Sequence, residues 1–180
     1  MERAGPVDEA LKRDMLELMP RLRRFACGLT GSSNEGDDLV QATYERAIRY
    51  ADTWQPGTRL DSWMFRIARN LHLNELRSRR VRGEHLRAVP ADNEADPRED
   101  RVAEAKLTLG SVMAFLERLP EEQRTVLLLI CVEGLSYKET AETLDLPIGT
   151  VTSRLARARL TLVALMEGTA DEAARQKGEL

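Results

Sequence analysis

Met15, Leu18, Leu22, Phe25 and Leu29 recur at alternating spacings of three and four residues, which predicts one face of an amphipathic helix. Gly28 and Gly31 mark its end, and Thr30-Gly31-Ser32-Ser33-Asn34 reads as a loop. A second helix is expected from about Asp37. Leu39, Val40, Thr43, Ala47 and Tyr50 form its core face, and Asp37, Asp38, Gln41, Glu45 and Arg46 stay outside. Gln55-Pro56-Gly57 breaks the chain. A third helix is predicted over 62–81, with Trp63, Ile67 and Leu71 one turn apart.

The pattern then changes. Residues 83–105 hold Gly83, Pro90 and Pro97, with Asp92-Asn93-Glu94-Ala95-Asp96 between the prolines, and read as a flexible acidic linker. Periodicity returns with a helix from Leu107 to Leu119. Pro120-Glu121-Glu122 opens the next, since proline suits a first turn and acids suit the positive end of the helix dipole. That helix carries the longest apolar run, Val126 to Val132, and stops at Gly134. Ser136 with Glu139 is a capping-box pair opening a short helix that ends by Asp145. Pro147 opens the last helix, to about Glu167, on the apolar stripe Ile148, Val151, Leu155, Ala158 and Leu162. The fold class is all-α. Two small helical domains, 8–82 and 106–167, flank the linker, and a tail covers 168–180.

Composition narrows the function. The chain has 180 residues and 4% aromatics, so its core is built from Leu, Ala, Val and Ile. No stretch reaches the roughly 18 apolar residues of a membrane span. Residues 1–6 hold no apolar signal-peptide core, and the two cysteines, Cys27 and Cys131, form no disulfide framework. A cytoplasmic protein is expected. His72 and His85 stand at no metal-ligand spacing from the cysteines, and no glycine-rich phosphate loop occurs. No enzyme, catalytic set, metal or cofactor is expected. The histidines read as solvated surface residues and the cysteines as core thiols.

A net charge of −3 argues against a nucleic-acid binder until it is divided along the chain. Residues 59–82 carry seven Arg against Asp61 and Glu75. Residues 147–162 carry Arg154, Arg157 and Arg159 with no acid. Such islands act locally, over a screening length of roughly 10 Å. A short helix, a tight turn and a second helix with a basic outer face predict a helix-turn-helix. Ala141 is small enough for close approach, and Leu144 and Leu146 flank the turn. Thr150, Ser153, Arg154 and Arg157 form one polar stripe, suited to the edges of bases in a major groove, and Arg159 lies off it as a phosphate contact. An ordinary surface helix with solubilising arginines is the competing reading. On the third helix, Arg66, Arg69, Arg77, Arg79, Arg80 and Arg82 stand with Trp63, Phe65, Asn70 and Asn74, a mixture suited to unstacked bases. For Trp63 alone, the core is the competing place.

Leu135-Ser136-Tyr137-Lys138-Glu139-Thr140-Ala141-Glu142-Thr143-Leu144, then the stretch from Pro147 to Arg159, resembles the promoter-binding domain of bacterial sigma factors. Leu119-Pro120-Glu121-Glu122-Gln123-Arg124 matches too. Asp37-Asp38-Leu39-Val40-Gln41 and the stretch from Ser62 to Asn70 resemble the N-terminal domain of the same proteins. With only these two domains, the chain is similar to the extracytoplasmic function (ECF) group of the sigma-70 family. The resemblance implies that Asp37, Asp38 and Gln41 dock on the β′ subunit of core RNA polymerase, within a complex that also includes β. It implies that Trp63, Arg66, Asn70, Asn74 and Arg77 take the −10 element, with Asn70 near a flipped base. Thr150, Ser153, Arg154, Arg157 and Arg159 would take the −35 element. It also implies a stress-response role and an anti-sigma factor as partner. Two departures stand out: Asp145 replaces the usual turn glycine, and Ala156 stands where relatives can carry a larger side chain.

Two other readings make different demands. A dimeric helix-turn-helix regulator needs a dimerisation surface and leaves the 62–81 helix unexplained. A sigma-like mimic that titrates an anti-sigma factor has no use for Asn70, Arg154 or Arg157.

Overall fold

The structure, a computed structural model, describes residues 8–83, 110 and 112–177, with side chains as far as Leu165. Most of the predicted linker, the start of the Leu107–Leu119 helix, His85 and residues 178–180 lie outside the described residues. Every regular element among the described residues is helical.

The first amphipathic face is carried by two helices, α1 (Glu9–Glu17) and α2 (Met19–Thr30). Pro20 sits in the first turn of α2, where a ring without an N–H starts a helix but cannot continue one. Met15, Leu22, Phe25 and Leu29 are all buried, so the stripe survives the break. Gly31 ends α2 with a left-handed φ of 76°. Helix α3 (Ser33–Arg49) starts earlier than its apolar periodicity predicts, because the Ser32 hydroxyl accepts from the Glu35 N–H at 3.4 Å. Helix α4 spans Leu60–Val81. The rings of Phe25 and Phe65 meet at 4.9 Å in the middle of this block, both essentially buried. Each such ring is worth about 2–3 kcal/mol of burial.

The second block has a helical stretch at 112–117 (α5), then α6 (Glu121–Leu127), α7 (Tyr137–Leu144) and α8 (Ile148–Lys177). Helix α6 runs on through a π-helical turn, Leu128–Val132. The wider turn rotates the end of the apolar run away from the core. Val126 to Leu129 are buried, whereas Val132 and Cys131 are exposed. The core-thiol expectation is therefore wrong for Cys131, and Cys27 is only half-buried. The capping box forms in both directions, with Ser136 N–H to Glu139 at 2.7 Å and Glu139 N–H to Ser136 at 3.2 Å. Asp145 takes the left-handed conformation expected of the turn, with φ and ψ both 53°. Helix α8 extends past the expected end at Glu167, and its first apolar residue, Ile148, is exposed because it precedes the packed turns.

The two blocks pack on each other, which their patterning does not predict. Their buried apolar residues form one cluster. Arginines stitch the seam. Arg21 donates to Glu133 at 3.1 Å and to Asp61 at 3.0 Å. Arg59 pairs with Asp61 in its own block and with Glu139 across the seam. Arg66 donates to the carbonyls of Thr143 (2.9 Å) and Glu142 (2.6 Å). Arg124 reaches back to the Leu29 carbonyl at 2.7 Å.

Candidate nucleic-acid interface

Helices α7 and α8 meet across the Asp145 turn at the close approach that Ala141, buried, permits. Val151, Leu155 and Ala158 anchor α8 to the core, which turns the opposite face outward. On that face Arg157 and Arg159 are exposed and make no ion pair among the described residues. The rest of the predicted stripe is engaged internally. Ser153 Oγ donates to the Thr150 carbonyl at 3.0 Å. Arg154 pairs with Glu122, its side chain only 18% exposed. Thr150 is half-buried. Arg157 and Arg159 are thus the outward cations of this face, whereas Arg154 is held by Glu122.

Helix α4 divides its predicted residues between faces. Trp63, Asn70 and Asn74 line one concavity of about 290 Å³ together with Arg46, Tyr50, Thr53, Ile67 and Leu71. Its mixture of ring faces, amides and one cation suits an unstacked base. Trp63 is half-buried, packed against the core and also lining this concavity. Arg66 lies on another side and is taken up by α7. Arg77 is exposed near the C-terminal end. Pattern reading missed Arg46, Tyr50 and Thr53. Tyr50 counted as core, yet it is exposed, with the Arg46 guanidinium 4.9 Å from its ring centre. The signal was present as an Arg and a Tyr one turn apart at a helix end.

On α3, Asp37, Asp38 and Gln41 are all exposed on one side. Asp37 takes both arms of Arg23, at 2.6 and 3.0 Å, and these hydrogen bonds hold its carboxyl below the usual range. Gln41 donates to Glu45 at 3.1 Å.

The buried charges lie along the seam. Burial works to raise the Asp61 carboxyl, but hydrogen bonds from Arg59 and Arg21 hold it at about 2. Burial pushes Glu133 up against the pull of Arg24 and Arg21. His72 is 9% exposed, which corrects the solvated-surface expectation. Helix α4 turns that position inward, one turn after Ala68 and two after Phe65. Burial, with Arg124 and Arg79 nearby, lowers its pKa to about 4.

The arrangement matches known proteins over both blocks. Residues 109–162 match the family described as Sigma-70, region 4, and residues 15–69 match the Sigma2 domain of PhyR. The ECF RNA polymerase sigma factor EcfG of Rhodopseudomonas palustris is 37% identical over 89% of this chain and 87% of its own length. The chain belongs to the ECF group of the sigma-70 family. Among solved structures, this ECF chain is similar to the sigma factor RpoE of Bartonella quintana, in complex with the anti-sigma factor NepR. The TM-score is 0.69 at 29% identity, over 89% of this chain and 98% of that one. It is also similar to CnrH in complex with the cytosolic domain of CnrY, with a TM-score of 0.65 at 26% identity over 88% of each chain. No helix among the described residues of this sigma-family chain is long and apolar enough to cross a membrane.

Proposed function

We propose that this chain binds core RNA polymerase through Asp37, Asp38 and Gln41 on β′, with contacts to β, and directs initiation at promoters bearing −10 and −35 elements. The observation that carries the reading is the pairing of two unlike surfaces on one chain. One is a convex helix with outward arginines, Arg157 and Arg159. The other is a concavity of rings and amides at Trp63, Asn70 and Asn74. A convex basic helix suits duplex DNA, and a concavity of this kind suits bases that have left the stack. Only a protein that engages DNA as it opens needs both. A dimeric regulator has no use for the second surface.

In this reading α8 presents Thr150, Ser153, Arg154, Arg157 and Arg159 to the −35 duplex. Trp63, Arg66, Asn70, Asn74 and Arg77 hold the −10 strand, with Asn70 at an extruded base. The chain does no covalent chemistry. It captures bases that thermal opening exposes, and polymerase performs synthesis. Free affinity for DNA is weak and salt-sensitive, because the net charge is −3 and many of the exposed arginines are paired with acids of the chain itself. Polymerase supplies the difference by holding both surfaces at high effective concentration. The resemblance to RpoE, solved with the anti-sigma factor NepR, supports inhibition by such a partner. A role in stress-related transcription belongs to the same proposal.

Run-off transcription from a pool of genomic promoter fragments tests the reading. Discrete transcripts that require both the chain and core polymerase are expected. Tight operator-like binding without polymerase, and no transcripts, would shift the assignment to a dimeric regulator.

A further inference from the structure

The seam between the blocks contradicts what promoter reading requires. Elements named for positions −10 and −35 lie about 25 base pairs apart, roughly 85 Å along straight duplex at ~3.4 Å per pair. A folded body of roughly 150 residues has a radius of gyration of about 15 Å, hence a width of roughly 40 Å. In the packed arrangement the α4 concavity and the outer face of α8 belong to one such body. They cannot occupy both elements together. The same packing engages a reader. The exposed guanidinium of Arg66 gives two of its five N–H donors to carbonyls at the end of α7, Glu142 and Thr143, which fixes its direction toward the other block.

The seam is also built from residues that the two reading surfaces do not need. Glu133, its side chain fully buried, draws Arg21 and Arg24 from the first block. Arg124 donates to the Leu29 carbonyl at the C-terminal end of α2. Gly28 lets the π turn sit directly on α2. A Cβ there would stand 2.6 Å from a Leu128 methyl, and the three nearest atoms all belong to Leu128. The glycine thus serves the other block, not its own helix, for which glycine is a poor residue. Most seam bonds are arginine to carbonyl or carboxylate, groups that water can satisfy once the blocks part. About 26 residues lie between Gly83 and Gly110, and their extended reach of roughly 85–95 Å permits the separation.

We propose that the packed arrangement is a self-inhibited state of the free chain. Its own residues latch it through Gly28 against Leu128, Glu133 between Arg21 and Arg24, and Arg66 on the end of α7. This rests on the promoter-reading function proposed above. An inhibitory partner then need only hold a closed form that the chain already adopts, and polymerase must open it.

The test uses the full chain with two latch variants, Gly28→Gln and Glu133→Gln, neither of which touches a reading surface. Gly28→Gln wedges the seam and favours the α2 helix. Glu133→Gln is nearly isosteric and removes the buried charge, so it carries the test should the wedge impair folding, which circular dichroism reports. Small-angle scattering of the free proteins is expected to show a compact wild type and expanded variants. In run-off transcription with core polymerase, the variants are expected to reach half-maximal transcript at roughly tenfold lower concentration, the reciprocal of an open fraction of about one tenth. A wild type as expanded as the variants would overturn the closed state, as would variants that stay compact. Expanded variants that titrate like wild type would overturn the inhibition. Transcripts from none of the three proteins would instead overturn the promoter reading and the inhibition that rests on it, even where scattering differs.

Discussion

His72 makes acid a specific solvent for this fold. Its imidazole is buried on α4 beside Arg79 and Arg124, and the carboxylates Glu35, Asp38 and Glu75 line the same concavity of about 340 Å³. Burial comes first and the two arginines second in lowering its pKa from 6.5 to about 4. The unfolded chain therefore takes up a proton between those values that the folded chain refuses, and stability falls as pH falls through this window. At 1.36 kcal/mol per unit, lowering pH from 7.5 to 4.5 removes about 2–3 kcal/mol through this residue alone. The other perturbed seam acids do not imitate the effect. Glu133, pushed up by burial, contributes with the opposite sign above pH 4.5, and Asp61 titrates between 3.8 and about 2, below the window. Urea unfolding at constant ionic strength, followed by circular dichroism at both pH values, measures the loss. His72→Gln removes the titration, so its stability change across the same interval is smaller than that of wild type by about 2–3 kcal/mol. Equal losses in the two proteins would refute the assignment to His72, since every other group is common to both.

Arg157→Ala is expected to lower promoter use by roughly ten- to hundredfold, the loss of one duplex contact of about 1–3 kcal/mol, with core binding unchanged in a polymerase pull-down. Asp38→Ala is expected to do the reverse, and equal losses in both assays from either change would undo the division of labour. Leu155→Ala, at a site 1% exposed, costs about 2–5 kcal/mol in urea unfolding. Asp145→Gly relieves a left-handed residue and raises stability by up to about 1 kcal/mol, whereas Asp145→Ala lowers it; a gain from Ala would show that the turn carries no strain.

The α7 and α8 helices were legible because their signals are local. The Ser136 and Glu139 pair, the turn at Asp145 and the Val151, Leu155, Ala158 stripe each lie within a few residues and appear where the pattern puts them. The same holds for the outward face of Asp37, Asp38 and Gln41. Errors gathered where local pattern is silent about neighbours. Pro20 divided a stripe that periodicity reads as continuous, and a π turn swung Cys131 out of an apolar run. His72 has polar chemistry and a buried address, which no composition rule anticipates. Tyr50 has apolar bulk and an exposed one.

The arginines show why the candidate site was only half legible. Counted along the chain, the Arg-rich stretch from 59 to 82 is one basic island, and all of it reads as a surface for nucleic acid. In the fold its members diverge. Arg59 is spent on Asp61 and Glu139, Arg66 on the end of α7, and Arg79 on Glu35 and Glu75. Sequence separation hides these partners, since Arg66 meets residues some 76 positions away. A charge count overstates what a closed chain offers to DNA, and it describes an open chain better. Opening the seam frees Arg66 from the carbonyls of Glu142 and Thr143 and Arg59 from Glu139, so the positive field around α4 rises when the blocks part. On the promoter-reading function proposed above, affinity for DNA and separation of the two surfaces then increase together, and a promoter would select the opened form.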